Sequence, residues 1–346
     1  MKAILVVAAR PNLIKIRPVL NGLEALNVEC LLVHTGQHYD HNMSDIFFEE
    51  LDIRTPDEHL GAGSGTHAEQ TGNVMTAFEM VVDNHRPDVV VVVGDVNSTL
   101  SCALVGARAG SIVVHVEAGL RSRDWNMPEE INRVVTDRVS DLLLAPSQGD
   151  VDNLLAEGYR PDQIQLVGNV MIDTLMANLE RARDRPILRD MKLEKEGFGL
   201  ITLHRPSNVD NPTNLHSITN ALNQIAEKIP LVFPAHPRTC AKLEEITLHP
   251  DISLVEPLGY LDFLALEDGA RLVLTDSGGV QEETTVLGTP CLTLRESTER
   301  PVTVDQGTNQ VVGTTTKNIT QYALAVLEQP PTARKPALWD LSLIHI

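Results

Sequence analysis

The sequence predicts an α/β protein made of two doubly wound parallel-sheet domains that face each other across a cleft. Two observations predict this fold class. Short runs rich in Val, Ile and Leu alternate with longer segments of helical period, which is the pattern of parallel βαβ units. The length of 346 residues also exceeds what one ordinary core needs and suits two domains.

The predicted strands fall into two sets, one on each side of a charged helical stretch, Asp173–Lys195, that is broken at Pro186. The first set is Ala3–Ala8, Cys30–His34, Val89–Val93, Ile112–Val116, Leu142–Ala145 and Gln165–Val167. The second set is Gly199–Leu203, Leu231–Pro234, Ile252–Val255, Leu272–Thr275, Cys291–Leu294 and Gln310–Val312. We therefore expect Rossmann-like domains at residues 1–172 and 196–330, a connection at 173–195 and a tail at 331–346.

The composition excludes several classes of partner and site. The chain has 28 Lys plus Arg against 47 Asp plus Glu, a net charge of -19, which repels nucleic acid and anionic membranes. Its four cysteines lie far apart without CxxC spacing and are interpreted as core residues. The first residues lead directly into a strand, without a signal peptide or a long apolar span. These features predict a cytoplasmic protein.

The first predicted strand is followed by Arg10 and Lys15 at the start of a helix, with Pro11 suited to the first helical turn. A dinucleotide site would show a GxGxxG turn here, and the sequence has none. The two cations are candidates for binding a diphosphate or a sugar. The alternative is that they are solvated surface charges.

Carboxylates follow two later strands. Asp95 comes after five consecutive valines, and Glu117 follows the next strand. Active sites of open α/β sheets gather at such carboxyl ends, so both residues are candidate acids or bases, although Asp95 is equally suited to an N-cap. Glu129 and Glu130 suit the first turn of a helix, and we retain Glu129 as a possible partner of the two strand-end carboxylates.

The second half repeats this arrangement. His204 and Arg205 end its first strand, and His204 is a candidate general acid, although a lone histidine is more often structural. The segment Ser277-Gly278-Gly279 joins a strand to a helix, and its bare amides can hold a diphosphate. Glu283, about one turn into that helix, is a candidate for binding ribose hydroxyls.

Other constellations are weak. His34, His38 and His41 have a spacing that would align zinc ligands on a helix, but Thr35-Gly36 interrupts the segment, so we expect no metal. No G-x-S-x-G elbow supports a nucleophilic serine. The Gly-rich segment 61–66 is a loop that serves either cleft closure or only linkage.

Taken as an ordered set, these segments resemble the non-hydrolysing UDP-N-acetylglucosamine 2-epimerases. The resemblance rests on Arg10–Lys15, His34–His38, Gly94-Asp95, His115–Arg121, Pro128–Arg133, Gly168-Asn169, His204-Arg205, Thr275–Gly279 and Thr298–Pro301. It implies a fold like that of type-B glycosyltransferases, a homodimer, and cofactor-free interconversion of UDP-N-acetylglucosamine and UDP-N-acetylmannosamine through 2-acetamidoglucal for cell-surface polysaccharide synthesis.

The resemblance also implies a role for each matching residue. The catalytic residues would be Asp95, Glu117, Glu129 and His204. The substrate contacts would be Arg10, Lys15, Phe263, Ser277, Gly278, Gly279, Glu283 and Arg300, with Phe263 against the uracil and Glu283 on the ribose. A second, regulatory nucleotide sugar would contact Gln37, His38, Arg205 and His236. Asn12 departs from the family pattern, which frequently has Glu there.

Several functions remain open beside this one. A related epimerase acting on a UDP-diacetamido uronic acid, a hydrolysing epimerase and a glycosyltransferase of the same fold are the alternatives, and a non-catalytic sugar-nucleotide sensor is another class. The carboxylates Asp95, Glu117 and Glu129 favour proton transfer at carbon over transfer to an acceptor.

The C-terminal tail is expected to be incomplete. The resemblance extends to Asp340, after which the family has a Gly and a final amphipathic helix, whereas Leu341–Ile346 looks foreign, like the translation of a sequencing adapter. We expect residues after Trp339 to make few contacts.

Overall fold

The computed structural model describes residues 1–36, 41–63, 65–334, 336 and 339, with the backbone alone for residues 41–45. The chain divides into two compact units: unit 1 contains Met1–Thr174, and unit 2 begins at Leu175. Each unit has its own parallel sheet with helices in the connections, so the predicted fold class is confirmed.

Unit 1 contains seven strands. They are β1 (Lys2–Val7), β2 (Glu29–His34), β3 (Glu58–His59), β4 (Val89–Val93), β5 (Ile112–Val116), β6 (Leu142–Ala145) and β7 (Ile164–Leu166). All pairs are parallel, in the order β3-β2-β1-β4-β5-β6-β7. The helices are α1 (Arg10–Ala25), α2 (His41–Glu50), α3 (His67–His85), α4 (Asn97–Ala109), α5 (Pro128–Val139), α6 (Gln148–Ala156) and α7 (Val170–Arg183).

Unit 2 contains six strands. They are β8 (Gly199–Thr202), β9 (Leu231–Pro234), β10 (Ile252–Val255), β11 (Leu272–Thr275), β12 (Cys291–Thr293) and β13 (Asn309–Val311). They are parallel, in the order β10-β9-β8-β11-β12-β13. The helices are α8 (Ile187–Asp190), α9 (Pro206–Val209), α10 (Pro212–Ala226), α11 (Pro237–Leu243), α12 (Tyr260–Gly269), α13 (Gly278–Leu287), α14 (Pro301–Asp305) and α15 (Thr316–Glu328).

The valine run of β4 shows why these sequences form central strands. Val90 and Val92 pack in one core cluster with Phe78 of α3 and Cys102 of α4. The alternate residues, Val91 and Val93, are also buried. A strand covered on both faces has a continuous run of apolar residues rather than an alternating pattern. A run of β-branched residues such as this one therefore predicts a central strand of a parallel sheet.

In each sheet, successive strands are added first on one side of the first strand and then on its other side. In unit 1, β1 lies between β2 and β4. In unit 2, β8 lies between β9 and β11. Connections leave such neighbouring strands toward opposite sides, which opens a crevice at their carboxyl ends where α/β proteins bind ligands.

The sequence-based strands all overlap observed strands, with ends that differ by one residue at most. The strand β3 was not predicted, because two residues, Glu58 and His59, leave no period to recognise. The helix α7 begins at Val170, three residues before the predicted connecting stretch, and Pro186 is the N-cap residue of α8. Within the described ranges, no helix has the length and apolar composition that a membrane crossing requires.

Candidate active site

Asn12 connects the start of α1 to the end of β4. Its Oδ1 accepts a hydrogen bond at 3.0 Å from the backbone N–H of Ala9, the N-cap residue of α1. Its Nδ2 donates to the carbonyl of Val93 at 2.9 Å. The buried amide side chain therefore fixes the first turn of α1 against the carboxyl end of β4.

The two cations of this turn differ in environment. Arg10 is half-buried and lies over the ring of Phe47, with 5.4 Å between its guanidinium carbon and the ring centroid. Lys15 is buried, and its ammonium forms an ion pair with the carboxylate of Glu117. The surface-charge alternative is therefore wrong for Lys15.

Glu117 is held just beyond the end of β5 in an unusual backbone conformation. Its φ of 74° lies in the left-handed region, and its N–H donates to the Leu144 carbonyl at 3.1 Å. Gly94 lies beside it with a φ of +70°, where an added Cβ would come within 3.3 Å of the Lys15 Nζ. Glycine at position 94 thus lets the buried ion pair approach the end of β4.

Asp95 is not the N-cap of α4. That helix begins at Asn97 with Val96 as its N-cap, so the capping interpretation of Asp95 is wrong. The Asp95 carboxylate instead pairs with Arg133 of α5, while its backbone carbonyl accepts from Asn132 at 2.9 Å. With a quarter of its side chain exposed (25%), Asp95 keeps access to a ligand while facing a cation.

The first turn of α5 contains two glutamates with different environments. Glu130 is buried and accepts hydrogen bonds from Ser122 N, Ser122 Oγ and Arg123 N at 2.8–2.9 Å, as well as an ion pair from Arg133. Glu129 is half-buried, and its side chain forms no hydrogen bond or ion pair with any described residue. Glu130 therefore holds the loop before α5, and Glu129 is the one left available to a ligand.

A buried network of His115, Asp137 and Arg121, which the sequence did not reveal, contacts the residue that follows β4. The ring of His115 approaches Asp137 through Nδ1 at 2.6 Å and the Gly94 carbonyl through Nε2 at 2.9 Å. Arg121 pairs with the same Asp137 at 2.8 Å. Burial raises the pKa of Asp137, but His115 and Arg121 lower it overall, so this carboxylate is charged. Both ring nitrogens of His115 thus lie within hydrogen-bond distance of an oxygen, one of Asp137 and one of Gly94.

In unit 2, His204 follows β8 and Asp276 follows the neighbouring strand β11. The His204 Nδ1 lies 3.0 Å from the Asp276 Oδ1, and the backbone N–H groups of His204 and Arg205 also donate to that carboxylate. Burial raises the pKa of Asp276, but the His204 ring and these N–H groups lower it overall. Asp276 thus orients the imidazole of His204, whose side chain is 58% exposed.

The segment Ser277-Gly278-Gly279 begins α13. Ser277 is the N-cap, and its side chain caps none of the first N–H groups of this helix, which are the groups that a helix N-terminus offers to an anion. Arg300 crowds this turn: a Cβ on Gly278 would lie 2.4 Å from the Arg300 Nη1. The Arg300 guanidinium is buried and pairs with Glu282 at 2.9 Å and Glu299 at 2.7 Å. Glycine at 278 is therefore what allows a guanidinium and open amides at one point.

Glu283 and Phe263 lie on the helices α13 and α12 of unit 2. Glu283 is buried in α13 and accepts a hydrogen bond from the Tyr260 hydroxyl at 3.0 Å. Burial raises the pKa of Glu283, while the hydrogen bond from Tyr260 lowers it. Phe263 is half-buried on α12 and packs against a core cluster that includes Phe198 and Leu200.

The residues expected at a regulatory site are only partly described. Gln37 and His38 lie outside the described residues. Arg205 donates through Nε to the Asp276 carbonyl at 3.0 Å. His236 is exposed and caps α11 through a hydrogen bond from the Arg238 N–H at 3.3 Å.

The cysteines and histidines form no metal-type cluster in the part of the chain that the structure describes. All four cysteines are free, and Cys102 and Cys291 are buried. His34 ends β2, where its Nδ1 accepts from the Gly36 N–H at 3.2 Å. His38 is outside the described ranges, as is the side chain of His41.

Comparison with known proteins gives a consistent result. The family model described as UDP-N-acetylglucosamine 2-epimerase matches residues 22–340. The UDP-N-acetylglucosamine 2-epimerase of Methanocaldococcus jannaschii is 43% identical over 97% of this chain and 95% of its own length. A solved structure of the M. jannaschii enzyme in complex with UDP-GlcNAc and UDP has a TM-score of 0.93 and covers 99% of this chain and 97% of that chain, at 42% identity.

Two further proteins are similar to this chain to different degrees. The UDP-2,3-diacetamido-2,3-dideoxy-D-glucuronate 2-epimerase of Pseudomonas aeruginosa is 42% identical over 93% of this chain and 91% of its own length. A calicheamicin glycosyltransferase, at 13% identity and a TM-score of 0.53, covers 94% of this chain and 90% of its own and shares the fold alone.

Proposed function

This chain belongs to the UDP-N-acetylglucosamine 2-epimerase family, an isomerase family, and we propose that it interconverts UDP-N-acetylglucosamine and UDP-N-acetylmannosamine. The observation that carries the proposal is the pair of carboxylates, Asp95 and Glu117, that follow the neighbouring strands β4 and β5. Inversion at a carbon requires groups that remove a proton and return one, and positioned carboxylates do this.

The reaction is an elimination followed by an addition. A carboxylate takes the C2 proton, the electrons of the C2–H bond form the C1=C2 double bond of 2-acetamidoglucal, and the C1–O bond breaks with its electrons on UDP. UDP then adds back to C1 while a proton reaches the opposite face of C2. Because neither the elimination nor the addition transfers a hydride, this route requires no nicotinamide cofactor.

Unit 1 supplies the acid and base groups in this proposal. Glu117 is buried against the Lys15 ammonium, and Asp95 is partly exposed against Arg133. Glu129, half-buried without a partner among the described residues, completes the set. The different surroundings of these carboxylates support different roles in removing and returning the proton. Arg10 is the further substrate contact in this unit.

Unit 2 supplies the groups that bind UDP. The amides that follow Ser277, at Gly278 and Gly279, receive the phosphates together with Arg300, because a helix N-terminus and a guanidinium both favour negative charge. Glu283 receives the ribose hydroxyls, and Phe263 lies against the uracil. His204, oriented by Asp276, acts on the departing diphosphate.

A second substrate is favoured by one observation. The diacetamido-uronate epimerase of P. aeruginosa is as similar to this chain, at 42% identity, as the UDP-N-acetylglucosamine epimerases are at 43%. The two substrates differ at C3 and C6 of the sugar, away from the C2 proton. The same acid and base groups therefore serve either substrate.

The test is an incubation of the purified protein with UDP-N-acetylglucosamine alone, with a metal chelator and without NAD, followed by NMR. We expect UDP-N-acetylmannosamine to appear until equilibrium is reached. A parallel incubation with the UDP-diacetamido uronic acid compares kcat/KM for the two substrates. Absence of epimerisation of both, a requirement for added NAD, or transfer of the sugar to an acceptor would overturn the proposal.

The remaining parts of the proposal follow the family resemblance. They are a homodimer, a cytoplasmic location, and a regulatory nucleotide-sugar site at Gln37, His38, Arg205 and His236. Light scattering coupled to size exclusion measures the first. Initial rates over a range of UDP-N-acetylglucosamine concentrations, in wild type and in Arg205→Ala and His236→Ala, measure the last.

A further inference from the structure

A pair of buried carboxyl groups lies behind the first turn of α13. Glu283 of α13 and Glu267 of α12 are both buried, and Glu267 is 0% exposed. Tyr260, also on α12, donates its hydroxyl proton to Glu283 at 3.0 Å. The residue proposed to bind the ribose thus shares the interior of unit 2 with a second buried carboxyl group.

Glu267 lacks the partners that other buried acids have. Among the described residues, no donor reaches either of its side-chain oxygens. The group beside it is the carboxyl of Glu283. By contrast, the buried acids Glu117 and Glu299 face cations. Two carboxyl groups are joined favourably only when one of them carries a proton, since two carboxylates repel each other.

The electrostatics of the pair agree with this geometry. Burial and the Glu283 carboxylate raise the pKa of Glu267 well above its usual range. Burial also raises the pKa of Glu283, which the hydrogen bonds from Tyr260 and Glu267 oppose and the charge of Glu282 reinforces. Glu282 in turn pairs with Arg300. From β12, Cys291 is neutral, because burial raises the pKa of its thiol to about 12.

We propose that Glu267 stays protonated and donates its proton to Glu283, making it a positioning residue that keeps Glu283 ionised and aimed at the ribose hydroxyls of the nucleotide. The inference rests on the proposed function, in which Glu283 binds that ribose. Tyr260 and Glu267 then supply two neutral donors to one carboxylate, which leaves its remaining lone pairs for the ligand. A cation in place of Glu267 would compete for Glu283, whereas a neutral donor orients it without cancelling its charge.

The test compares Glu267→Leu, which removes the donor, with Glu267→Gln, which keeps a neutral donor of the same length. UDP and 2′,3′-dideoxy-UDP are titrated into each protein by calorimetry between pH 6 and 8.5. In Glu267→Leu we expect UDP affinity at pH 7 to fall about tenfold, as for loss of a hydrogen bond to a charged group. The pH at which UDP affinity reaches half of its maximal value should also rise, because Glu283 loses a donor that favours its charged form.

The controls identify which step fails. Glu267→Gln should bind UDP with nearly wild-type affinity and pH dependence, and 2′,3′-dideoxy-UDP should bind both variants as it binds the wild type. Equal UDP affinity and pH profile in wild type and Glu267→Leu would overturn the inference alone, as would an equal loss in the Gln variant. If the wild-type protein binds no UDP at any pH, the proposed function fails and this inference fails with it.

Discussion

Glu117 of unit 1 and Glu283 of unit 2 are both buried glutamates near the carboxyl edge of a parallel sheet, yet they face different partners. Glu117 lies against the ammonium of Lys15. Glu283 lies against the Tyr260 hydroxyl and the carboxyl of Glu267. A fixed counter-charge suits a carboxylate that must move a proton, and neutral donors suit one that must recognise neutral hydroxyls.

The contrast extends to the surroundings of each glutamate. In unit 1, Asp95 and Glu130 share Arg133. Asp137 is paired with Arg121 and His115. In unit 2, Arg300 lies at the turn of Gly278 and pairs with Glu282 and Glu299. Both units thus contain charge-paired acids, and Glu283 differs from them in facing the Tyr260 hydroxyl and the carboxyl of Glu267.

The largest effect is expected when the acids of unit 1 are neutralised. We expect Asp95→Asn, Glu117→Gln and Glu129→Gln each to lower kcat by about 10² or more, because each removes a proton-transfer group. His204→Asn should have an effect of the same size through the leaving group. UDP affinity, measured by calorimetry, should persist in the three carboxylate variants. Nearly wild-type turnover in both Asp95→Asn and Glu117→Gln would assign those residues to structure alone.

A smaller effect is expected from filling the turn of unit 2. In Gly278→Ala the new Cβ would lie 2.4 Å from the Arg300 guanidinium, so Arg300 must move away from the open amides. We expect UDP to bind at least tenfold more weakly, the size of one lost charge-assisted contact. Gly72→Ala is the matched control, because its Cβ meets nothing within 4 Å. UDP affinity unchanged in Gly278→Ala would mean that the turn does not bind phosphate.

The smallest effect concerns stability and pH. The pKa of Glu267 is raised in the folded protein, whereas in the unfolded chain a glutamate releases its proton near pH 4.3. The folded state therefore holds a proton that the unfolded state has lost, and the free energy of unfolding falls as pH rises through this window, by at most about 1.4 kcal/mol per pH unit. Glu267→Leu lacks this dependence.

Thermal melting of wild type and Glu267→Leu between pH 5.5 and 7.5 measures the difference. The melting temperature of the Leu variant should gain on that of the wild type as pH rises. A constant difference across this range would mean that Glu267 is ionised in both states, and the contrast between Glu117 and Glu283 would lose its basis.

The sequence predicts the strands and the residues that end them, but not their partners. The valine run of β4 and the positions of Asp95, Glu117 and His204 follow from local pattern, since strand ends are local features. The Lys15–Glu117 pair joins residues that are 102 positions apart, and no local period contains it. The network of His115, Asp137 and Arg121 is invisible for the same reason.

One local signal was nevertheless available. Thr66 and Glu69 form a capping box at the start of α3, with the Glu69 Oε2 2.9 Å from the Thr66 N–H, and their T-x-x-E spacing is readable in sequence. Asp95 shows the opposite case, because its N-cap propensity is overridden by Arg133 across the sheet edge. Local propensity determines which residues are suited to cap a helix, and tertiary contacts determine which of them act as the cap.

Solvent exchange at the substrate C2 carbon tests the division between the units most directly. Wild type and the Asp95→Asn/Glu117→Gln double variant are each saturated with UDP-N-acetylglucosamine in deuterated water, and deuterium at C2 is followed by NMR. We expect wild type to incorporate C2 deuterium into UDP-N-acetylmannosamine as it forms, and the double variant to incorporate none while still binding UDP. Retention of the original C2 proton in the wild-type product, or exchange by the double variant at nearly the wild-type rate, would contradict it.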